Sequence, residues 1–152
     1  MIDKLTALLE NFDLAAFIPE VETFLGKLEL FARLAVMVGP LVMLGMGLWF
    51  YLAPPKEANH KAGYRTFFGM GSVEAWLFTQ KLAGTLWSVL GLLLTVIMAL
   101  ICNGFRGMEA MDMMGSVTAC VVWELVLVLL STVAIEALVF LSFDKDGNRR
   151  KN

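Results

Sequence analysis

Two glutamates fall inside an apolar run of this sequence, where a charged group has few favourable surroundings. Glu124 and Glu136 both lie between residues 117 and 143, and Glu124 is about 7 residues, or roughly 10 Å, from the start of that run. A carboxylate in hydrocarbon costs several kcal/mol unless it is paired, protonated or in contact with water. Both glutamates are therefore candidate functional residues.

Several interpretations of these glutamates stay open. Arg33, beside the first apolar run, is the expected partner of Glu124, and Lys81, beside the second, is the expected partner of Glu136. Since 12 residues turn a helix by about 120°, the two glutamates need different partners. The alternatives to two structural ion pairs are proton or substrate handling in a cavity and pairing within a homo-oligomer.

A second group of polar residues lies in the segment that follows Pro54-Pro55. Arg65 carries a planar guanidinium with five donors, and Gly63 suits a turn with a positive φ. With Asn59 and Thr66 nearby, this loop is a candidate site for a phosphate, a carboxylate or the end of another helix. In the alternative interpretation, Arg65 caps helix-end carbonyls and holds the loop on the rest of the protein.

Three apolar runs must position these residues. They span about residues 34–53, 82–102 and 117–143 of the 152, and 59% of the chain is hydrophobic. Roughly 20 apolar helical residues cross a hydrocarbon core, and backbone groups in lipid must be satisfied internally. The runs are continuous rather than alternating, and the mean hydropathy is +0.73. The sequence therefore predicts an all-α integral membrane three-helix bundle in contact with the lipid bilayer.

The segment at residues 1–29 has a different pattern. Apolar residues recur there at helical spacing while acids lie off the stripe, which predicts an amphipathic helix along the membrane interface or docked on a partner. Pro19 is expected to end or bend this helix. Residues 30–143 then form the membrane domain, and residues 144–152 form a polar tail whose Asp144–Asn148 portion is typical of a turn.

Several local signals predict where the helices stop, start and meet. Pro54-Pro55 should end the first helix, and Ser72 should cap the second, with Trp76 and Lys81 at headgroup level. Gly39-Pro40 should kink the first span. The second span carries one face of small residues, a pattern that lets helix backbones approach closely in lipid: Gly84, Ser88, Gly91 and Thr95.

The basic residues predict an orientation. Eight of the 12 Lys and Arg residues lie in the first loop, at the start of the second helix or in the tail, and four lie on the opposite side. Positive charge favours the cytoplasmic side, so the loop and tail are expected inside and the amino terminus outside.

Composition also limits the function classes. A net charge of −2 with no basic segment argues against nucleic acid as a partner, and a single histidine, His60, argues against a histidine-based metal site. No arrangement of nucleophile and base and no nucleotide signature is present, so neither an enzyme nor a cofactor is expected. Cys102 and Cys120 lie near one membrane face, either as a disulfide or as small packing residues.

The first loop resembles the signature of the SdpI family, a family of bacterial membrane proteins whose founder gives immunity to a sporulation-delaying toxin. The resemblance covers roughly residues 40–102 and departs from the pattern at Gly69, where threonine or serine is common. Its matching residues, in order and spacing, are Asn59, Gly63, Arg65, Thr66, Trp76 and Gly84.

The resemblance implies a binding or protection role at the bacterial cytoplasmic membrane. That role would be immunity to a membrane-active peptide or recruitment of a cytosolic regulator to the membrane. Asn59, Gly63, Arg65, Thr66 and Trp76 would then be the binding residues. An alternative from a different class is a small transporter, or a subunit of a membrane complex, that uses Glu124.

Overall fold

The computed structural model describes residues 14–58 and 62–150. Over these ranges the chain forms three long helices, and no strand is present beyond one isolated bridge. The prediction of an all-α three-helix fold is therefore confirmed. The helices, in chain order, are α1 at Leu14–Leu52, α2 at Val73–Asn103 and α3 at Ala110–Ser142.

All three helices are long and apolar enough to cross a membrane. The candidate spans contain 27, 31 and 33 residues, the first of them being Gly26–Leu52 within α1. At 1.5 Å per residue each exceeds the roughly 30 Å of a hydrocarbon core. Large apolar side chains are exposed along the outer surface of every helix, including Leu41, Leu93 and Leu129. Such a surface suits lipid rather than water.

Local sequence explains where the first helix ends and the second begins. The last helical turn of α1 closes with a hydrogen bond from the Ala53 N–H to the Trp49 carbonyl, and the diproline follows. At the start of α2, the Ser72 Oγ accepts a hydrogen bond from the Ala75 N–H at 3.1 Å. The predicted stop and the predicted N-cap are both confirmed.

α1 runs without a break through two prolines. It begins at Leu14 and includes Pro19, so Pro19 does not end a helix, and no helix boundary falls near residue 29. The first 13 residues of the predicted amphipathic segment lie outside the described residues. Pro40 is buried in the same helix, and because proline has no N–H, the Val36 carbonyl lacks its usual helical donor.

Small residues allow α1 and α2 to pack backbone against backbone. A Cβ added at Gly91 would lie 2.5 Å from the Leu44 nitrogen, and one at Gly84 would lie 2.5 Å from the Tyr51 nitrogen. From the other side, Gly47 of α1 lies directly against the α2 backbone. The predicted small-residue face is therefore a close helix contact.

The buried apolar residues form two clusters at opposite ends of the bundle. One lies near the turn between α2 and α3, which we name the turn end, and contains both cysteines as free thiols. The other lies near the first loop, which we name the loop end. The turn-end cluster includes Ala32, Val36, Met98, Cys102, Phe105 and Cys120, and the loop-end cluster includes Phe50, Ala75, Ala83, Ile135, Val139 and Phe143.

Candidate functional site

Trp76 holds the first loop against the start of α2. Its side chain is fully buried, and its Nε1 donates a hydrogen bond of 2.7 Å to the Pro55 carbonyl. The Trp76 ring therefore packs inside the protein, and its predicted depth at headgroup level stays a prediction. The ring packs under the loop on the α2 side, and its indole N–H donates a hydrogen bond to a loop carbonyl just after the end of α1.

Gly63 lies directly on the Trp76 ring. Its φ is +106°, which confirms the predicted positive-φ turn, and a Cβ at this position would lie 2.7 Å from a ring carbon of Trp76. Glycine is thus required here for two reasons, the backbone conformation and the close approach.

Gln80 makes the second connection between the loop and α2. This fully buried side chain donates from Nε2 to the Tyr64 carbonyl at 2.7 Å, and its Oε1 accepts from the Tyr64 N–H at 2.8 Å. Both backbone groups of one loop residue are therefore satisfied by a single amide. The sequence analysis missed Gln80, although a glutamine one turn after Trp76 in a membrane helix was a usable signal.

Thr66 is a structural residue within the loop. Its buried Oγ1 accepts a hydrogen bond from the Gly69 N–H at 2.8 Å. A Cβ at Gly69 would collide with both this hydroxyl and the Thr79 hydroxyl. The glycine at this position, which departs from the family pattern, therefore fits the close packing of two threonines around it.

Arg65 lies on the outside of the same loop. It is exposed, while Thr66 beside it is buried and Tyr64 is half-buried. The loop thus presents Arg65 at the protein surface between Tyr64, which is hydrogen-bonded to α2, and Thr66, which is hydrogen-bonded within the loop. Asn59, the remaining candidate in the loop, lies outside the described residues.

Burial also changes the acidity of the Tyr64 phenol. Two effects raise the pKa of Tyr64 to about 12: partial burial, which is the larger, and the negative charge of Glu136. The ring packs edge-on against Trp87, with centroids 5.3 Å apart. Tyr64 therefore remains a neutral hydrogen-bonding group at any physiological pH.

The carboxyl-terminal tail folds back onto the loop end. The Ser72 Oγ donates to the Gly147 carbonyl at 2.7 Å, so the residue that caps α2 also holds the tail. The predicted turn is confirmed, since the Asp144 carboxylate accepts from the Asn148 and Asp146 backbone N–H groups. These hydrogen bonds lower the pKa of Asp144, and the backbone hydrogen bond from Asn148 has the largest effect. The loop and tail consequently lie at the same end of the bundle.

The predicted Arg33–Glu124 ion pair is absent. Arg33 instead bonds Glu29 through Nε at 3.0 Å and Nη2 at 2.6 Å. Glu29 lies four residues earlier on the same helix face, so it is a nearer partner than a carboxylate on another helix. Glu124 is buried, at 7% exposure, and its Oε1 has no hydrogen-bond partner among the described residues.

The predicted Lys81–Glu136 pair is also absent. Both residues are exposed, and neither takes part in the Arg33–Glu29 or Arg149–Glu74 ion pair. Glu136 follows the fully buried Ile135, so it lies on the outer side of α3 rather than toward α2. Of the two intramembrane glutamates, only Glu124 is enclosed by the protein.

These features define a multi-pass α-helical membrane protein whose first loop and tail, as far as the structure describes them, lie at the same end of the bundle. A family model described as the SdpI/YfhL protein family matches residues 56–142, more than half of the chain, and the chain belongs to this family. The match begins in the first loop and continues through α3, whereas the resemblance in the sequence analysis stopped near residue 102. No curated protein and no solved structure gives a match.

Proposed function

We propose that this chain is a non-enzymatic binding and protection protein of the SdpI type in the bacterial cytoplasmic membrane. Its first role would be immunity to a membrane-active peptide, and recruitment of a cytosolic regulator is the alternative form of the same role. The observation that carries the proposal is the family match, which includes the first loop and both following spans.

The first loop is the surface that we expect to bind the partner. Trp76 and Gln80 attach it to α2 at two points, Pro55 and Tyr64, and the exposed Arg65 directly follows the second of these. A loop held in this way loses little conformational entropy when it binds, so more of the interaction energy appears as affinity. A guanidinium is well suited to a carboxylate or phosphate on the partner.

A matched pair of substitutions tests this surface. Bacteria sensitive to the sporulation-delaying toxin would express the protein with Arg65→Ala or with Lys56→Ala, since both residues are exposed at the loop end. Loss of a charged hydrogen bond costs about 1.5–3 kcal/mol, so Arg65→Ala should lower the tolerated toxin concentration about tenfold or more. Lys56→Ala should change it little.

Thermal unfolding in detergent separates binding from support of the loop. If Arg65 binds a partner, Arg65→Ala should unfold at the wild-type temperature while protection fails. Equal protection by the two variants would contradict the proposed binding role, and a lower unfolding temperature for Arg65→Ala alone would assign Arg65 to holding the loop.

The orientation is proposed from positive charge. We propose that the loop end faces the cytoplasm, because it carries eight of the 12 basic residues, and that the turn end faces outward. Contact between the tail and the first loop supports a common side for these two segments.

Thiol labelling of intact cells tests the orientation. In a background where Cys102 and Cys120 are alanines, Lys145→Cys reports the tail and Glu109→Cys reports the turn end; both positions are exposed. A membrane-impermeant maleimide should label the Glu109→Cys protein in intact cells and the Lys145→Cys protein only after lysis. The reverse pattern would overturn the proposed orientation.

A second candidate function is favoured by one specific observation. Glu124 is a buried carboxyl group within a span, and such groups often mark ion or substrate pathways in transporters. Under this proposal the chain is a small transporter or a subunit of a membrane complex.

A further inference from the structure

A cavity of about 200 Å³ lies between the three helices at the level of Gly39-Pro40. Glu124 is the only charged residue among the described residues that line it. The remaining walls are apolar and come from all three helices; they include Gly39, Pro40, Met43, Leu94, Val121 and Val128.

The Glu124 carboxyl group lines this cavity. Its Oε1 is buried and has no hydrogen-bond partner among the described residues. Its Oε2 lies against Gly39, where an added Cβ would collide with it. Arg33, which could have supplied a charge, is bonded to Glu29. A buried carboxyl group that lacks a partner is costly, so this site is complementary to a ligand that brings a donor.

A second cavity, of about 320 Å³, adjoins the first. The two share Gly39, Met43 and Val128, and the second is lined further by Trp87 and by apolar residues of α1. Two of these, Val38 and Val42, are more than half exposed on the outer surface of the bundle. An apolar ligand body therefore has both a matching wall and a route from the lipid side.

We propose that these cavities form an intramembrane binding site for a small protonated amine with an apolar body. The ammonium pairs with the Glu124 carboxylate through charge-assisted hydrogen bonds, and the apolar body fills the cavity beside Val128. A neutral molecule of the same shape fills the cavity but leaves the carboxyl group without its partner. This site is independent of the first loop and does not require the protection role.

Binding of benzylamine at neutral pH to the purified protein in lipid nanodiscs tests the proposal, with ethylbenzene, which has the same shape but no hydrogen-bond donor, as the neutral analogue. Glu124→Gln keeps the side-chain shape and removes the charge, whereas Glu136→Gln removes a charge from an exposed position of the same helix. Calorimetry should show saturable benzylamine binding to the wild type and to Glu136→Gln, weakened about tenfold or more by Glu124→Gln. Ethylbenzene should bind all three proteins equally and weakly.

A third variant keeps the carboxyl group and removes the space. Val128→Phe fills the region that the two cavities share, so it should abolish benzylamine binding. This variant tests the site independently if the separate Glu124→Gln protein does not fold. Infrared difference spectra of wild type should also show a change in a carboxyl band on benzylamine addition, and Glu136→Gln should retain that change. No saturable binding to wild type, or wild-type affinity in Glu124→Gln or Val128→Phe, would overturn the proposal.

Discussion

The amide of Gln80 should contribute strongly to the stability of the loop end. Gln80→Met keeps the length and volume of the side chain but removes both hydrogen bonds to Tyr64. Each loss leaves a partly buried backbone group without its partner, at about 1–3 kcal/mol. Since Tyr64 is only half-buried and water can reach part of it, we expect a net loss of about 2–4 kcal/mol of unfolding free energy.

The free energy of unfolding can be measured by titration with a denaturing detergent in mixed micelles. Hydrogen exchange of the Tyr64 amide reports the loop directly, because this N–H donates to the Gln80 Oε1. Thr85→Ala is the matched control, since Thr85 is exposed on the same helix and bonds only the Lys81 carbonyl. It should change the stability by less than about 0.5 kcal/mol.

The substitution Gln80→Glu distinguishes the contributions of the two hydrogen bonds between Gln80 and Tyr64. Gln80→Glu retains an acceptor for the Tyr64 N–H but loses the donor to the Tyr64 carbonyl, so amide exchange should stay slow while stability falls. The reasoning is refuted if Gln80→Met unfolds within about 0.5 kcal/mol of the wild type and its Tyr64 amide remains protected.

Two further predictions concern helix packing and Tyr64. Gly91→Ala should destabilise the protein by about 1–3 kcal/mol, because the added Cβ would lie 2.5 Å from the Leu44 nitrogen; Gly45→Ala, where no atom lies within 4 Å, should not. Equal unfolding curves for these variants would contradict the proposed close contact. The pKa of Tyr64 is raised to about 12 in the folded protein, so its contribution to stability should be present below about pH 10 and disappear as the pH rises to about 12. Ultraviolet titration should show this late component in the wild type, and its persistence in Tyr64→Phe would assign it to another group.

Local patterns predicted much of the fold correctly. Ser72 caps α2 through an N–H three residues later, and the diproline ends α1 because of its own ring geometry. Gly63 adopts the positive φ that glycine alone tolerates well. Each of these features depends on residues within a few positions of each other, so the sequence contains the necessary information.

The surroundings of the intramembrane glutamates could not be predicted from the same information. The Arg33–Glu29 pair has the i,i+4 spacing of a local helical ion pair, and this pairing leaves Glu124 without the expected partner. The surroundings of Glu124 and Glu136 depend on how α3 is rotated about its axis. α3 is apolar on nearly every side, so its sequence does not indicate which face meets α1 and α2.

The sequence by itself determined that this chain crosses a membrane as three helices. Each apolar run is long enough to span the hydrocarbon core, and in lipid only a helix hydrogen-bonds all the backbone groups of a single run. It also predicted a close-packing face on α2, since small residues recur there at helical spacing, but the structure decided that this face meets α1. Only the tertiary structure decided that Gln80 holds Tyr64 and that Glu124 lies in a cavity against Gly39. These contacts join residues 16 and 85 positions apart, and their geometry follows from the rotation and packing of whole helices, which no local pattern encodes.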